Sequence, residues 1–375
     1  MSMNKRLKLV IGALIILLVA LSSAAYIGGW LKIPRPEVAG EEQIYQGYPR
    51  TIVDSAGRTV TITRPITRII TLTSDSAECV RTLGEVEKIV GVTETILEGE
   101  GGLYFQELKG RPVVGTWKEY DYEKIVAIAK GDSDRVTPDL LVVCYAARAS
   151  EVSERLNPFG IPVVGLDFYI PSSMEAEVEK LGYILDREAE ARKFITWRQH
   201  KEDAVRRAVA GLERPRVYLE RGASTDIGEL GTYGQGSALN EFCNLAGGAN
   251  IASELEAQYP KVGWEWVMSQ NPAVIIKEEP KTFIGVSSMA EELRTELMNR
   301  PGAGNVSAIR DGRVYILTYK ITYGLGNVVG LTYWAQLFHP ELDLDPETVY
   351  REYLEEFQGM VYPAEIQVVY PELPR

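Results

Sequence analysis

The stretch SSMEAEVEKLGYILDREAEARKFITWRQHKEDAVRRAVAGL, residues 172–212, decides the fold. It contains no proline and no strand-like run, and Gly182 is its one glycine before Gly211. Val178, Leu181, Ile184, Leu185, Phe194, Ile195 and Trp197 recur at near-helical spacing, so the segment reads as one helix or a broken helix pair. On both sides of it, short strands alternate with helices. Leu140–Cys144, introduced by Pro138-Asp139, is a continuous apolar run of the kind buried on both faces of a parallel sheet. Arg68–Leu72, Lys88–Val92, Pro112–Gly115 and Pro162–Leu166 read as its neighbours, with helices at Ser74–Leu83, Tyr122–Ala129 and Val152–Leu156. Thr51–Val53 and Thr59–Ile62 flank the turn sequence Asp54-Ser55-Ala56-Gly57, a β-hairpin. Beyond the long segment, strands at Arg216–Glu220, Ala273–Lys277 and Arg313–Leu317 alternate with helices at Ser237–Leu245, Trp264–Gln270 and Ala290–Met298. The fold class is α/β, two lobes joined by one long interlobe helix.

Six segments follow: residues 1–30 as a signal peptide or N-terminal membrane anchor, 31–47 as a linker, and 48–171 as an N-terminal α/β lobe. Residues 172–212 are the interlobe helix, 213–360 a C-terminal α/β lobe and 361–375 an extended tail. At the N-terminus, Lys5, Arg6 and Lys8 precede an apolar run from Leu9 to Ala25 that ends in small residues. That run exceeds a usual signal core of roughly 7–15 residues and approaches the ~20 that span a bilayer. The basic flank keeps the N-terminus in the cytoplasm and places the body outside, secreted, periplasmic or tethered to the outer face of the cytoplasmic membrane.

The 375 residues carry 52 Asp+Glu against 40 Lys+Arg, a net charge of -12 that makes nucleic acid an unsuitable partner. Forty-five per cent hydrophobic and 25% charged residues fit a globular body, not a disordered or multi-span chain. His200 and His339 are far apart and neither sits in a ligand-spaced motif; no metal site or resident cofactor is expected. Cys79, Cys144 and Cys243 form no CxxC pair and read as buried thiols, or as one disulfide with a thiol left over.

Specific blocks then carry a resemblance. Thr51–Ile62 followed by Arg68–Leu72, Glu123-Lys-Ile followed by Pro138-Asp-Leu-Leu-Val-Val, and Asn240–Ile251 with its Gly247-Gly248-Ala249-Asn250 are similar to the solute-binding proteins of iron-complex and vitamin B12 ABC importers. Asn271-Pro-Ala-Val-Ile-Ile repeats the Pro-Asp idea with Ala273 in place of Asp, Lys130–Thr137 resembles a local insertion, and Tyr350–Phe357 resembles the last helix of archaeal members. The resemblance spans about residues 50–360. It implies two Rossmann-like lobes, a ligand cleft between them, and modest lobe movement because the interlobe helix is stiff. It also implies docking on an ABC importer permease through one glutamate per lobe, which map to Glu123 and Glu241.

Open α/β sheets bind ligands beyond the carboxyl ends of their strands. This points to Thr73, Ser74, Asp75, Trp117, Lys118, Tyr120, Tyr145 and Arg148 in the first lobe, with Ser74-Asp75-Ser76 read chiefly as a helix cap. In the second lobe it points to Arg221, Thr225, Tyr233, Tyr319, Lys320 and Tyr323, and Gly231–Ser237 reads as a flexible cleft loop. Aromatic faces suit a broad chelate and Arg or Lys its anionic rim. The expected cargo is therefore a small-molecule metal chelate: an Fe(III)–siderophore, haem or a corrinoid. An oxyanion such as molybdate or tungstate is the alternative on the same fold. An extracytoplasmic metalloenzyme or chelatase is the reading from another class, and no catalytic residues are assigned.

Overall fold

In the first lobe a four-stranded parallel sheet runs in the order β4-β3-β5-β6, where β3 is Arg68–Thr71, β4 Ile89–Val92, β5 Leu140–Cys144 and β6 Val163–Gly165. All five residues of β5 are buried, as its apolar run requires. The computed structural model describes residues 45–98, 104–133, 135–222, 226–279, 285–286, 289–363 and 366–372. Residues 47–375 form one unit, separate from residues 1–46. The expected N-terminal leader or anchor lies outside the described residues. Among the described residues no helix is long and apolar enough to cross a membrane.

The hairpin of β1 (Arg50–Val53) and β2 (Thr59–Ile62) is antiparallel. The Asp54 carboxylate accepts from the Ala56 and Arg58 amides at 3.1 and 2.9 Å, and from the Gly165 amide at 3.0 Å, which pins the hairpin to the end of β6. Helix α1 (Ser74–Thr82) follows β3, α2 (Tyr122–Lys130) precedes β5, and α3 (Ala146–Leu156) links β5 to β6. The expected strand at Pro112–Gly115 is reduced to two isolated bridges, Val113 to Val92 and Gly115 to Tyr120.

Residues 172–212 are not one rod. Helix α4 (Met174–Leu185) ends where Asp186 adopts a left-handed φ of 62°, and α5 (Glu188–Val209) begins two residues later. The pair forms an antiparallel hairpin, since the Glu175 carboxylate accepts from Arg198 at 3.1 Å and from Gln199 at 2.7 Å. The 22-residue α5 spans about 33 Å at ~1.5 Å per residue. Phe194 and Trp197 on α5 pack on Phe357 near the C-terminus, with centroids 5.3 and 4.9 Å apart, and Trp197 Nε1 donates to Glu352 at 2.7 Å.

The second lobe holds a seven-stranded mixed sheet, order β10-β8-β7-β11-β12-β13 with β9 also on β7. Parallel β7 (Arg216–Arg221), β11 (Val274–Glu279) and β12 (Val314–Thr318) form its centre. β8 (Leu230–Thr232) and β10 (Lys261–Val262) pair antiparallel at one side, and β9 (Ala249–Asn250) runs parallel to β7. Residues 361–375 are not merely an extended tail, because β13 (Val369–Tyr370) pairs antiparallel with β12 and closes the sheet edge. Helices α6 (Ala238–Leu245), α7 (Trp264–Gln270), α8 (Met289–Met298), α9 (Asn327–Phe338) and α10 (Pro346–Glu352) complete the lobe. The last helix runs on through Phe357 as expected, with a wider π-type turn over Tyr353–Phe357.

Inside this sheet lies a buried ionic cluster: Glu220 accepts from Lys277 at 2.5 Å and from Arg300 at 2.6 and 2.9 Å. All three side chains are almost fully enclosed.

Candidate functional site

The carboxyl ends of β3, β5 and β6 and the segment after β12 converge, and tyrosines dominate what they carry. In the first lobe Tyr145 follows β5 and Tyr169 follows β6, with ring centroids 5.8 Å apart and planes nearly perpendicular. In the second lobe Tyr233 follows β8, Tyr259 precedes β10, and Tyr319 and Tyr323 lie after β12. Tyr319 and Tyr323 have centroids 5.9 Å apart, and Tyr233 meets Tyr259 edge-on at 6.1 Å. The two sets lie close enough to act on each other electrostatically, Tyr145 with Tyr319 and Tyr169 with Tyr259. Burial pushes the Tyr145 and Tyr233 phenols well up and Tyr169 up to about 12, which keeps these hydroxyls protonated as hydrogen-bond donors.

The turn after β12 is placed by close packing. A Cβ on Gly330 of α9 would lie 2.0 Å from the Ile321 carbonyl, so only glycine lets α9 approach this turn. Gly324, at φ +72°, lies against α1, where an added Cβ would sit 2.7 Å from Glu78 Oε2. The second lobe thereby touches the first beneath the cleft. Lys320 Nζ lies 2.9 Å from Glu78 Oε1 and 4.4 Å from the centroid of the Tyr104 ring, and the Tyr104 hydroxyl donates to the same carboxylate. Lys320 is thus held in a buried interlobe ion pair, and not on the cleft wall where the sequence reading puts it.

Other predicted residues are placed as follows. Thr73 is the N-cap of α1, its Oγ1 accepting from the Ser76 amide at 3.3 Å, so the cap is Thr73 and not Ser74 or Asp75. Ser74 opens the helix, partly exposed. Trp117 is 58% exposed on the rim beside Lys118, whose ammonium stands 5.0 Å from the indole centroid. Arg148 turns away to Glu151 at 2.8 Å, stacks on Tyr120, and donates to the Lys118 carbonyl at 3.1 Å, so it braces the rim loop. Arg221 stacks on Tyr259 at 4.6 Å. Thr225 lies outside the described residues. Gly231–Ser237 is a strand and a bonded turn, not a loose loop: Gly234 and Gln235 donate to the Gln258 and Leu255 carbonyls at 2.9 Å, and Ser237 caps α6. Glu123 is exposed in the first turn of α2, and Glu241 is half-exposed in the first turn of α6, accepting from Ser172 Oγ at 3.1 Å.

Sequence reasoning missed Tyr169, Tyr259 and Glu278, and it named Asp75 chiefly as part of a helix cap. Glu278 on β11 accepts from the Thr322 hydroxyl and from Tyr233 at 3.1 Å, and Tyr323 donates to Tyr233 at 3.1 Å. Asp75 accepts from the Ser76 amide at 3.0 Å through Oδ1, while its buried Oδ2 has no hydrogen-bond partner. Burial pushes both carboxyls up to about 7. Cys79, Cys144 and Cys243 are free and buried, the first of the two readings of the cysteines. Among the described residues no group of three or more His, Cys, Asp or Glu is placed to hold a metal ion.

This architecture is shared by known proteins. The chain is 26% identical over 313 residues to the cobalamin-binding protein of Halobacterium salinarum, spanning 80% of this chain and 78% of the relative. It is 24% identical over 348 residues to the molybdate-binding protein MolA of Haemophilus influenzae, spanning 84% of this chain and 92% of that one. The crystal structure of the TroA-like periplasmic binding protein FepB from Veillonella parvula superposes with a TM-score of 0.68 at 20% identity, covering 84% of this chain and 98% of that one. The Periplasmic binding protein family model matches residues 69–320, more than half of the sequence, and the chain belongs to that family.

Proposed function

We propose that this protein is an extracytoplasmic substrate-binding protein that holds a metal chelate between its lobes and delivers it to an ABC importer permease. The observation that carries the reading is a cluster of six tyrosines contributed by both lobes and gathered near the strand ends. Wide π-faces with protonated phenols suit a flat chelate such as a corrinoid, haem or an Fe(III)–siderophore. The similarity to a molybdate-binding relative keeps an oxyanion as the second reading. Trp117 and Lys118 on one rim and Arg221 on the other are the residues assigned to close on the ligand edge. The N-terminal basic-apolar segment exports the body or tethers it to the membrane.

A thermal-shift panel of the full-length protein against cyanocobalamin, haem, a ferric siderophore and molybdate tests the assignment. The true ligand at a hundred times its Kd adds about 2.7 kcal/mol of stability, and a flat response to the whole panel removes the reading. Delivery is assigned to Glu123 and Glu241, one carboxylate per lobe, which pair with permease arginines in a directional, bidentate way. The Glu123→Ala/Glu241→Ala double variant should lose uptake in a transport assay while its ligand affinity stays at the wild-type value. Weakened affinity in that variant would place the two carboxylates in the cleft instead.

A further inference from the structure

Asp75 stands in the first turn of α1, at the cleft end of the first-lobe sheet, and is 7% exposed. The groups around it come from every element packed there. On its own helix these are Thr73, Ser76 and Glu78, and after β6 they are Asp167 and Tyr169. Tyr145 faces it from the segment after β5 and is itself neighboured by Tyr319 of the second lobe. Gly324, also of the second lobe, packs against it: an added Cβ there would lie 3.6 Å from the Asp75 Cβ. The charges that act on Asp75 most strongly, Glu78 and Asp167, are both acidic. The nearby lysine, Lys320, is held on Glu78 one helical turn further along.

A buried acceptor that has lost water and gained no donor is unfavourable, and any group that supplies a donor recovers that loss. The charge inventory of the cleft points the same way. Asp75, Asp167 and Glu278 are its acids, whereas Arg148 is engaged by Glu151 and Lys320 by Glu78, leaving Arg221 and the rim lysine Lys118 as its cations among the described residues. Such a wall offers acceptors to donors and no surplus of cations to a polyanion.

We propose that Asp75 is a ligand-selecting residue: its unpartnered carboxylate oxygen accepts a hydrogen bond from an N–H or cationic group of the ligand. The cleft then takes a neutral or cationic chelate fringed with N–H donors in preference to a polyanion or a small oxyanion. This rests on the binding function proposed above and narrows its substrate class. A donor on Oδ2 favours the ionised carboxyl, which burial otherwise holds protonated up to about pH 7. Affinity for such a ligand therefore rises about tenfold between pH 6 and pH 8.

Calorimetric titration of the full-length protein with cyanocobalamin (neutral and carboxamide-fringed), haem (a dicarboxylate) and molybdate provides the test, run at pH 6, 7 and 8. Cyanocobalamin should bind tightest and show the tenfold rise. Asp75→Asn should lose that pH dependence and bind it about tenfold more weakly at pH 8, since an amide can turn its own N–H toward the ligand donor. Asp75→Ser carries the same expectation, should Asp75→Asn not fold. Tighter binding of haem or molybdate, or a pH profile that persists in Asp75→Asn, overturns the role of Asp75 and leaves the binding function standing. Failure of all three probes to bind the wild type overturns the role of Asp75, and the binding function falls with it only if the ferric siderophore fails to bind as well.

Discussion

Two carboxyls buried at the same cleft, Asp75 in the first lobe and Glu278 in the second, have the same ordinary chemistry and opposite surroundings. Glu278 receives hydroxyl donors from Thr322 and Tyr233, and Tyr323 extends the chain by donating to Tyr233. Asp75 has the Ser76 amide on Oδ1 and the Thr73 hydroxyl close by, and no partner within hydrogen-bond distance on Oδ2. One wall of the cleft is satisfied from within and fixes the orientation of its tyrosines before any ligand arrives. The other wall is left with an acceptor that only a new donor satisfies. A binding cleft with one preorganised face and one incomplete face loses little entropy on the first and gains selectivity on the second.

The largest expected effect lies just below these two groups, where a third buried carboxyl, Glu78, is paired with Lys320 across the lobes through Oε1, its Oε2 having no hydrogen-bond partner. Removing one partner of a buried ion pair leaves an uncompensated charge, at a cost of about 3–5 kcal/mol. Lys320→Met should lower the unfolding free energy by that amount in a denaturant titration. If stability barely changes, the contrast between a carboxyl paired with a cation and one left without a cation loses its physical basis. Glu78→Gln combined with Lys320→Met sharpens the point, because deleting both charges should restore most of the loss.

Much of the framework is legible in the sequence, for reasons that the same residues explain. Leu140–Cys144 announces a central parallel strand because burial on both faces demands an unbroken apolar run. The helix at Ser237–Leu245 is legible to within a residue because its Ser237 cap and its periodicity agree. The interruption at Asp186 is legible only as an alternative, because a non-glycine residue in the left-handed region leaves no composition signal; the helical spacing simply resumes at Glu188. Glu278 is invisible for a different reason. All six residues of β11 are buried, yet its last three are Lys277, Glu278 and Glu279, which a sequence reading takes for a solvated strand end. Nothing local reveals that Glu220, far away in the chain and itself bound by Arg300, holds Lys277 inside. Arg148 and Lys320 fail as cleft cations for the same reason: the partner of a charge is a tertiary fact. Tyr259 escapes notice because it precedes the short β10, which the sequence does not show, whereas Tyr169 lies three residues past the strand read at Pro162–Leu166 and is open to the same argument as Tyr145.

Protonation gives the finer test of the two carboxyls. Asp75 and Glu278 release their protons near 3.8 and 4.5 when unfolded, whereas burial raises both to about 7 in the fold. Between these values the native state binds more protons than the unfolded chain, so stability falls as pH rises through this window. From pH 5 to pH 8 the decline is about 2–3 kcal/mol for each group, read as an upper figure because relaxation and water entry reduce it. Asp139 bounds the acid side: although burial opposes it, hydrogen bonds from Arg68, Thr137 and Thr67 hold it below its ordinary value, a stabilisation lost only as pH falls below about 3.8. Chemical denaturation at pH 5, 6.5 and 8 measures the slope, and the variants separate the two walls. Asp75→Asn should remove about half of the decline and raise stability at pH 8, since it deletes a charge with an unpartnered oxygen. Glu278→Gln should flatten the other half while gaining less at pH 8, because the amide cannot serve both the Thr322 and the Tyr233 hydroxyls as acceptor. Equal gains from the two substitutions would mean that the hydroxyls around Glu278 contribute nothing, and that the walls differ in appearance only.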